Sequence, residues 1–206
     1  MRAPLSHLTL LTAAVTLIAA TPVPMASPLA LREGSRLWFD GTSTVRSWNC
    51  SADRIDATLV PSDDGVIAAV LDGRKVAGQV QVDFPVSKLE CKNGTMNEHM
   101  WKALKAKEHA TIRFAMENYS VERGSTVSGS LQGTLQLAGQ TLPITVPVQF
   151  AAASDGALRV TGKVPVKMTD WGIKPPTLML GTMKVGPVVN VHFDLLLQKS
   201  SATALD

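Results

Sequence analysis

Few side chains in this sequence are of the kinds that do chemistry, and their spacing narrows what they can do. There are two cysteines, Cys50 and Cys91, separated by 41 residues. There are four histidines, His7, His99, His109 and His192, none near enough to another or to a thiol to show metal-ligand spacing. No serine on a strained strand-to-helix turn heads a Ser-His-Asp order, and no inward strand position carries paired carboxylates. Neither catalysis nor a metal or organic cofactor is expected. If the chain is exported, the cysteine pair reads as a disulfide, because an even pair in an oxidising compartment pairs. Two buried free thiols is the other reading. A bridge across that separation would stabilise by about 4 kcal/mol through loop closure. Asn97 and His99 sit early in a predicted helix and could touch a polar headgroup. The plainer reading of His99 is a solvent-facing helix histidine.

The elements that must position these groups are mostly strands. Gly129–Phe150 reads GSLQGTLQLAGQTLPITVPVQF, in which Leu131, Gly133, Leu135 and Leu137 alternate with polar residues. After Ala138-Gly139-Gln140 the alternation restarts with Leu142, Ile144, Val146, Val148 and Phe150 on one parity. Period 2 gives each half one apolar and one polar face, and the short turn makes the pair a β-hairpin. Similar runs occur around Leu37–Phe39, Val45–Leu59, Val76–Val86, Ile112–Met116, Leu158–Val166 and Val189–Leu197. One helix interrupts them. Thr95-Met96-Asn97-Glu98 matches a capping box, and the spacing of Met96, Met100, Ala103 and Leu104 predicts a helix over 95–107.

Long one-sided strands joined by short turns predict an all-β fold, an eight-stranded antiparallel barrel with one short helix capping an end. A two-sheet sandwich explains the alternation nearly as well. The inward parity would present Val80, Val82, Phe84, Ile112, Phe114 and Leu135, then Ile144, Val146, Val148, Val164, Val191 and Phe193. No charge falls on that parity within these strands. The list suits a dry lipid pocket, and it equally describes a filled core. Met96, Met100, Met116, Met168, Met179 and Met183 gather in the helix, the strand after it and the segment 168–184, where methionine could adapt to a variable apolar shape. Trp171 could close over such a pocket together with Trp101.

The ends of the chain read differently. Arg2 and the apolar run Leu8–Ala20 are followed by small residues and prolines, which predicts a signal peptide within 1–30, cut after Ala20, Ala26 or Ala30. An uncleaved anchor is the alternative, although the run is short for a bilayer. The barrel would then occupy 31–198, with 199–206 a flexible tail. The net charge of +3 is mild and the basic residues are scattered apart from Lys102, Lys105 and Lys107, so no nucleic-acid footprint is expected.

Four segments resemble one known family, the YceI-like proteins. They are Met96–Phe114, with its short helix and Thr-Ile-Arg-Phe strand; the 127–148 hairpin; Thr169–Pro176, reading TDWGIKPP; and Val185–Leu195. The resemblance covers roughly 36–197. The chain departs from the common pattern in its cysteine pair, in Met100-Trp101 where two phenylalanines are frequent, and in lacking tyrosine-proline before Thr111. The resemblance implies a lipocalin-like barrel exported to the periplasm, or secreted, whose interior holds a polyisoprenoid chain such as an isoprenoid quinone. The alternatives are a filled-core barrel serving as a protein-interaction or envelope-stress module, and a lipid hydrolase. A homodimer stays open.

Overall fold

The computed structural model describes residues 26–178 and 181–200. The apolar run Leu8–Ala20, and with it most of the expected signal peptide, lies outside them, as do Met179 and residues 201–206. The strands are β1 (Leu29–Leu31), β2 (Arg36–Ser43), β3 (Ser47–Ala52), β4 (Asp56–Pro61), β5 (Gly78–Pro85) and β6 (Leu89–Glu90). They continue with β7 (Thr111–Arg123), β8 (Val127–Leu137), β9 (Gln140–Ala152), β10 (Leu158–Lys167), β11 (Thr177–Leu178) and β12 (Met183–Lys199). Two helices, α1 (Val66–Leu71) and α2 (Gly94–Ala103), lie between them.

These strands close on themselves. β4, β5, β7, β8, β9, β10 and β12 follow one another in antiparallel pairs, and β1 joins β12 back to β4. β1 and β2 share one edge of β12 in succession, Leu31 opposite Leu197 and Leu37 opposite Phe193. They therefore act as one bent wall strand. β3 with β4, and β5 with β6, bend in the same way, which gives the eight walls of the expected barrel. Closure removes the exposed sheet edges that a two-sheet sandwich would leave.

Two bulges re-aim side chains. At Glu117 the β7–β8 register slips by one residue, so the inward parity passes from Met116 to Tyr119. Tyr119 is consequently buried, and its hydroxyl accepts from the Val76 N–H (2.7 Å) and donates to the Val76 carbonyl (2.8 Å). The second irregularity falls between Val185 and Val189 on β12, around Gly186-Pro187.

The helices differ from the sequence expectation. VIAAVL forms α1, a second helix that its β-branched residues do not advertise. Val66, Ala69 and Val70 are its buried residues, the i, i+3, i+4 stripe of a helix pressed on a core. Packing here overrides local propensity. α2 starts and stops earlier than 95–107. Its cap is Asn93, whose Oδ1 accepts from the Met96 N–H (3.0 Å), so the Thr95–Glu98 capping box is not the one used. Asparagine caps at least as well as threonine, and the chain enters from the bridged Cys91. The helix ends where Lys105 turns left-handed (φ 53°), with Ala106 N–H donating to the Trp101 carbonyl and Lys105 N–H to that of Lys102, a Schellman closure built on lysine. The barrel itself begins at Leu29 and runs to Lys199, slightly beyond the expected 31–198.

Candidate functional site: a hollow apolar barrel

The two ends of the barrel are built differently. At the floor, α1 lies under the strand ends. Val66, Val70, Leu29, Leu59, Phe150, Leu158, Val160 and Leu197 pack there in one buried cluster. At the other end, the β2–β3 turn, α2 and the segment 168–184 surround the strand ends instead. Leu137, Ala138, Val166, Met168, Trp171 and Ile173 form a smaller cluster on one side of that end. Between the two clusters the interior is hollow, with a cavity of about 520 Å³. Phe84, Phe114, Leu135, Ile144, Val191 and Phe193 stay only half-buried although they stand on the inward parity of paired strands. Side chains in that position keep accessible surface only where the space in front of them is empty.

Twelve of the fourteen sequence-predicted lining residues border this cavity. They are Val80, Val82, Phe84, Met100, Ile112 and Phe114, with Leu135, Ile144, Val146, Val164, Val191 and Phe193. Two do not. Val148 is buried in the floor-side cluster without reaching the empty space. Trp171 is buried in the smaller cluster, where its indole Nε1–H donates to the Leu135 carbonyl (3.3 Å). Trp101 likewise donates to the Leu89 carbonyl (3.3 Å), so the two indoles brace backbone and form no gate. Of the expected methionine group, Met96, Met100, Met116, Met168 and Met183 all border the cavity.

The polar pair separates too. His99 borders the cavity, but Asn97 is buried behind the wall. Its Oδ1 accepts from the Cys91 N–H (2.8 Å) and its Nδ2 donates to Glu90 (2.7 Å), which uses the amide to dock α2 on β6. Asn97 is therefore a structural residue, and the sequence could not show that its partners stand six and seven positions back. Cys50 and Cys91 are joined as expected, and both residues border the cavity, with the Cys91 Sγ 3.7 Å from the Met100 Sδ. Residues that the sequence reading left out include Leu37, Phe39, Leu131 and Tyr119. The first three carry the alternation signal, whereas Tyr119 appears only once the bulge at Glu117 is known.

Among the described residues, Arg46, in the β2–β3 turn, is the single formally charged side chain on the cavity lining. Other charges lie outside the wall, and some of them are paired there. Asp194 is buried on the outer surface between Arg159 (2.7 Å) and Arg36 (3.1 Å), and the Arg159 hydrogen bond leads in holding its carboxyl below the usual range. Asp40 is held low first by Asn190 and then by His192, which stacks on Trp38. Among the described residues no group of three or more His, Cys, Asp or Glu side chains could hold a metal ion.

A closed antiparallel barrel of eight walls, capped at one end by a helix and hollow with an apolar lining, defines a lipocalin-like barrel. The family model for the YceI-like domain matches residues 35–197, and the chain belongs to that family. Among solved structures it is similar to Burkholderia cenocepacia BcnA at 17% identity and a TM-score of 0.62, over 79% of this chain and 95% of that one. It is also similar to a polyisoprenoid binding domain from Saccharophagus degradans implicated in plant cell wall breakdown, at 13% identity and 0.59, over 86% and 100%. A Campylobacter jejuni YCEI protein aligns at 18% and 0.56, over 73% and 85%. At these identities the likeness is one of fold. None of the curated proteins matches the sequence.

Proposed function

We propose that this protein holds the apolar chain of an isoprenoid lipid, such as an isoprenoid quinone, inside its barrel, and so transports, stores or protects it. The observation that carries this reading is the hollow: about 520 Å³ lined almost wholly by aliphatic, aromatic and methionine side chains. That volume lies within the 300–1,000 Å³ typical of small-molecule sites. Each buried methylene contributes about 0.8 kcal/mol, so ten buried carbons supply about 8 kcal/mol before the cost of association. Thr95, His99 and Arg46 border the α2 end and would face a polar headgroup, while Asn97 is already occupied. The binding recorded for the Saccharophagus degradans domain supports the ligand class. A filled-core interaction module is disfavoured by the same empty volume, and the family supports a binding role over an enzymatic one.

Export to the periplasm or outside the cell belongs to this proposal, and the Cys50–Cys91 bridge supports it. Signal cleavage after Ala20 or Ala26 would leave β1 whole. Cleavage after Ala30 would remove Leu29 and Ala30 from their pairing with Lys199 and Gln198. The test is to extract purified protein with organic solvent, examine the extract by mass spectrometry, and measure uptake of added quinone. A co-purifying or acquired isoprenoid lipid is expected. Neither lipid nor uptake would refute the reading.

A further inference from the structure

The charges at the two ends of the barrel are arranged differently. At the floor, Arg32 pairs with Asp155, and Arg74 and Arg123 both pair with Asp72. Asp63, Asp64, Glu33 and Glu122 add further negative charge there. At the α2 end, Arg46, Lys92, Lys102, Lys107, Lys174 and Lys184 are all exposed, and none takes part in an ion pair among the described residues. The acids on the same segments are only Glu98, Glu108 and Asp170, and Asp170 is already matched to Lys167. With Lys75 and Lys199 also exposed at the floor, that end carries both signs in near balance, whereas the α2 end carries an excess of unpaired positive charge.

Among the described residues, the α2 end also holds the most exposed large apolar side chains. Val45, at the tip of the β2–β3 turn, is 68% exposed, and Val188, in the β12 bulge, is 42% exposed. Val45 is adjacent in sequence to Arg46, which borders the cavity, and the Thr44 N–H donates to the Lys184 carbonyl (3.0 Å). An apolar tip ringed by unpaired cations is the composition that settles at an anionic bilayer interface. It stands at the end of the barrel where Arg46, Thr95 and His99 border the cavity.

We infer that the α2 end of the barrel docks on an anionic lipid surface, with Val45 entering the headgroup layer and Arg46, Lys92 and Lys184 against acidic headgroups. The inference rests on the lipid-holding reading for its purpose, because a lipid passing between bilayer and barrel need not cross water if the cavity faces the membrane. Its physical basis is independent of that reading. Each cation near such a surface raises partitioning about fivefold, and the effect falls within a Debye length as salt increases.

The test is co-sedimentation of the full chain with vesicles of phosphatidylcholine alone or with about one third phosphatidylglycerol. Binding at least tenfold stronger to the anionic vesicles is expected, weakening as salt rises. Lys92→Glu with Lys184→Glu should reduce binding by more than 25-fold, Val45→Asp should reduce it several-fold, and Lys199→Glu at the floor should leave it unchanged. Equal binding to both vesicles, no binding, an equal loss from the floor variant, or binding to an acidic polymer such as heparin without vesicle binding would each overturn the inference. Solvent extraction of the same preparation separates the two readings. A lipid-loaded protein indifferent to vesicles retains the carrier reading and loses this one; an empty protein that binds anionic vesicles does the reverse.

Discussion

The floor and the α2 end of this barrel solve the same problem by different means. Around α1, ordinary packing suffices: Val66, Val70, Leu158, Val160 and Leu197 are all at most 9% exposed, and nothing covalent is needed. Around α2, the interior must stay empty, so the packing that would normally hold a helix in place is not available. Other devices stand in for it. The Cys50–Cys91 bridge fastens the approach to α2 onto β3, the Asn97 amide ties the helix to Glu90 and Cys91, and two indoles anchor on backbone carbonyls. A hollow site is thus bought with directional and covalent contacts where a solid core would use area.

The comparison can be broken most severely at the disulfide. Cys50→Ser with Cys91→Ser should lower unfolding free energy by about 4 kcal/mol. Amide exchange should accelerate at α2 and β6 far more than at α1, as measured by hydrogen exchange. Equal loosening of both ends would deny the division of labour. Next, Leu158→Ala in the floor, where the side chain is 3% exposed, should cost roughly 3 kcal/mol in denaturant unfolding, the range for a buried leucine. Leu131→Ala, on the wall of the cavity, should cost only about 1 kcal/mol, since that side chain already faces space.

Asn97→Ala should cost about 2 kcal/mol, because it strands the Cys91 N–H and Glu90 behind the wall. A loss of bound lipid without a loss of stability would instead restore Asn97 to a headgroup role. Ile144→Trp should fill the hollow and reduce lipid loading more than tenfold, about 1.4 kcal/mol, with little change in stability. The smallest effect concerns pH. The folded-state pKa of Asp194 lies below its ordinary value, so its contribution is complete above that ordinary value and fades as pH falls through the lowered one. Asp194→Asn should therefore destabilise by about 1 kcal/mol at pH 7. It should converge on the parent protein at strongly acidic pH, in melts taken across that range.

Much of this was legible in the chain. Strict alternation, as in Leu131–Leu137 and Leu142–Phe150, dictates which side chains face inward, and eleven of the twelve strand residues named on that parity border the cavity. The two failures are instructive. Val148 obeys the parity but is covered by its neighbours, although Val146 and Phe150 on either side of it border the hollow, and Trp171 belongs to no strand, so no period could place it. α1 escaped because Val-Ile-Ala-Ala-Val-Leu has strand-like propensity, and only burial against the floor makes it helical. Thr95 looked like the cap because a capping box is a local pattern, whereas Asn93 caps because of where Cys91 delivers the chain.

By itself, then, the sequence determined which face of each long strand points inward, because that follows from period, and it left the two cysteines between a bridge and two thiols until the structure joined them. Only the tertiary structure decided that the inside is hollow. Emptiness depends on how far apart eight walls stand and on which residues close the ends, and no alternation of apolar and polar residues records that distance. The same holds for Tyr119, which faces inward because of one extra residue in β7, and for the unpaired cations that segments far apart in the chain bring to a single end.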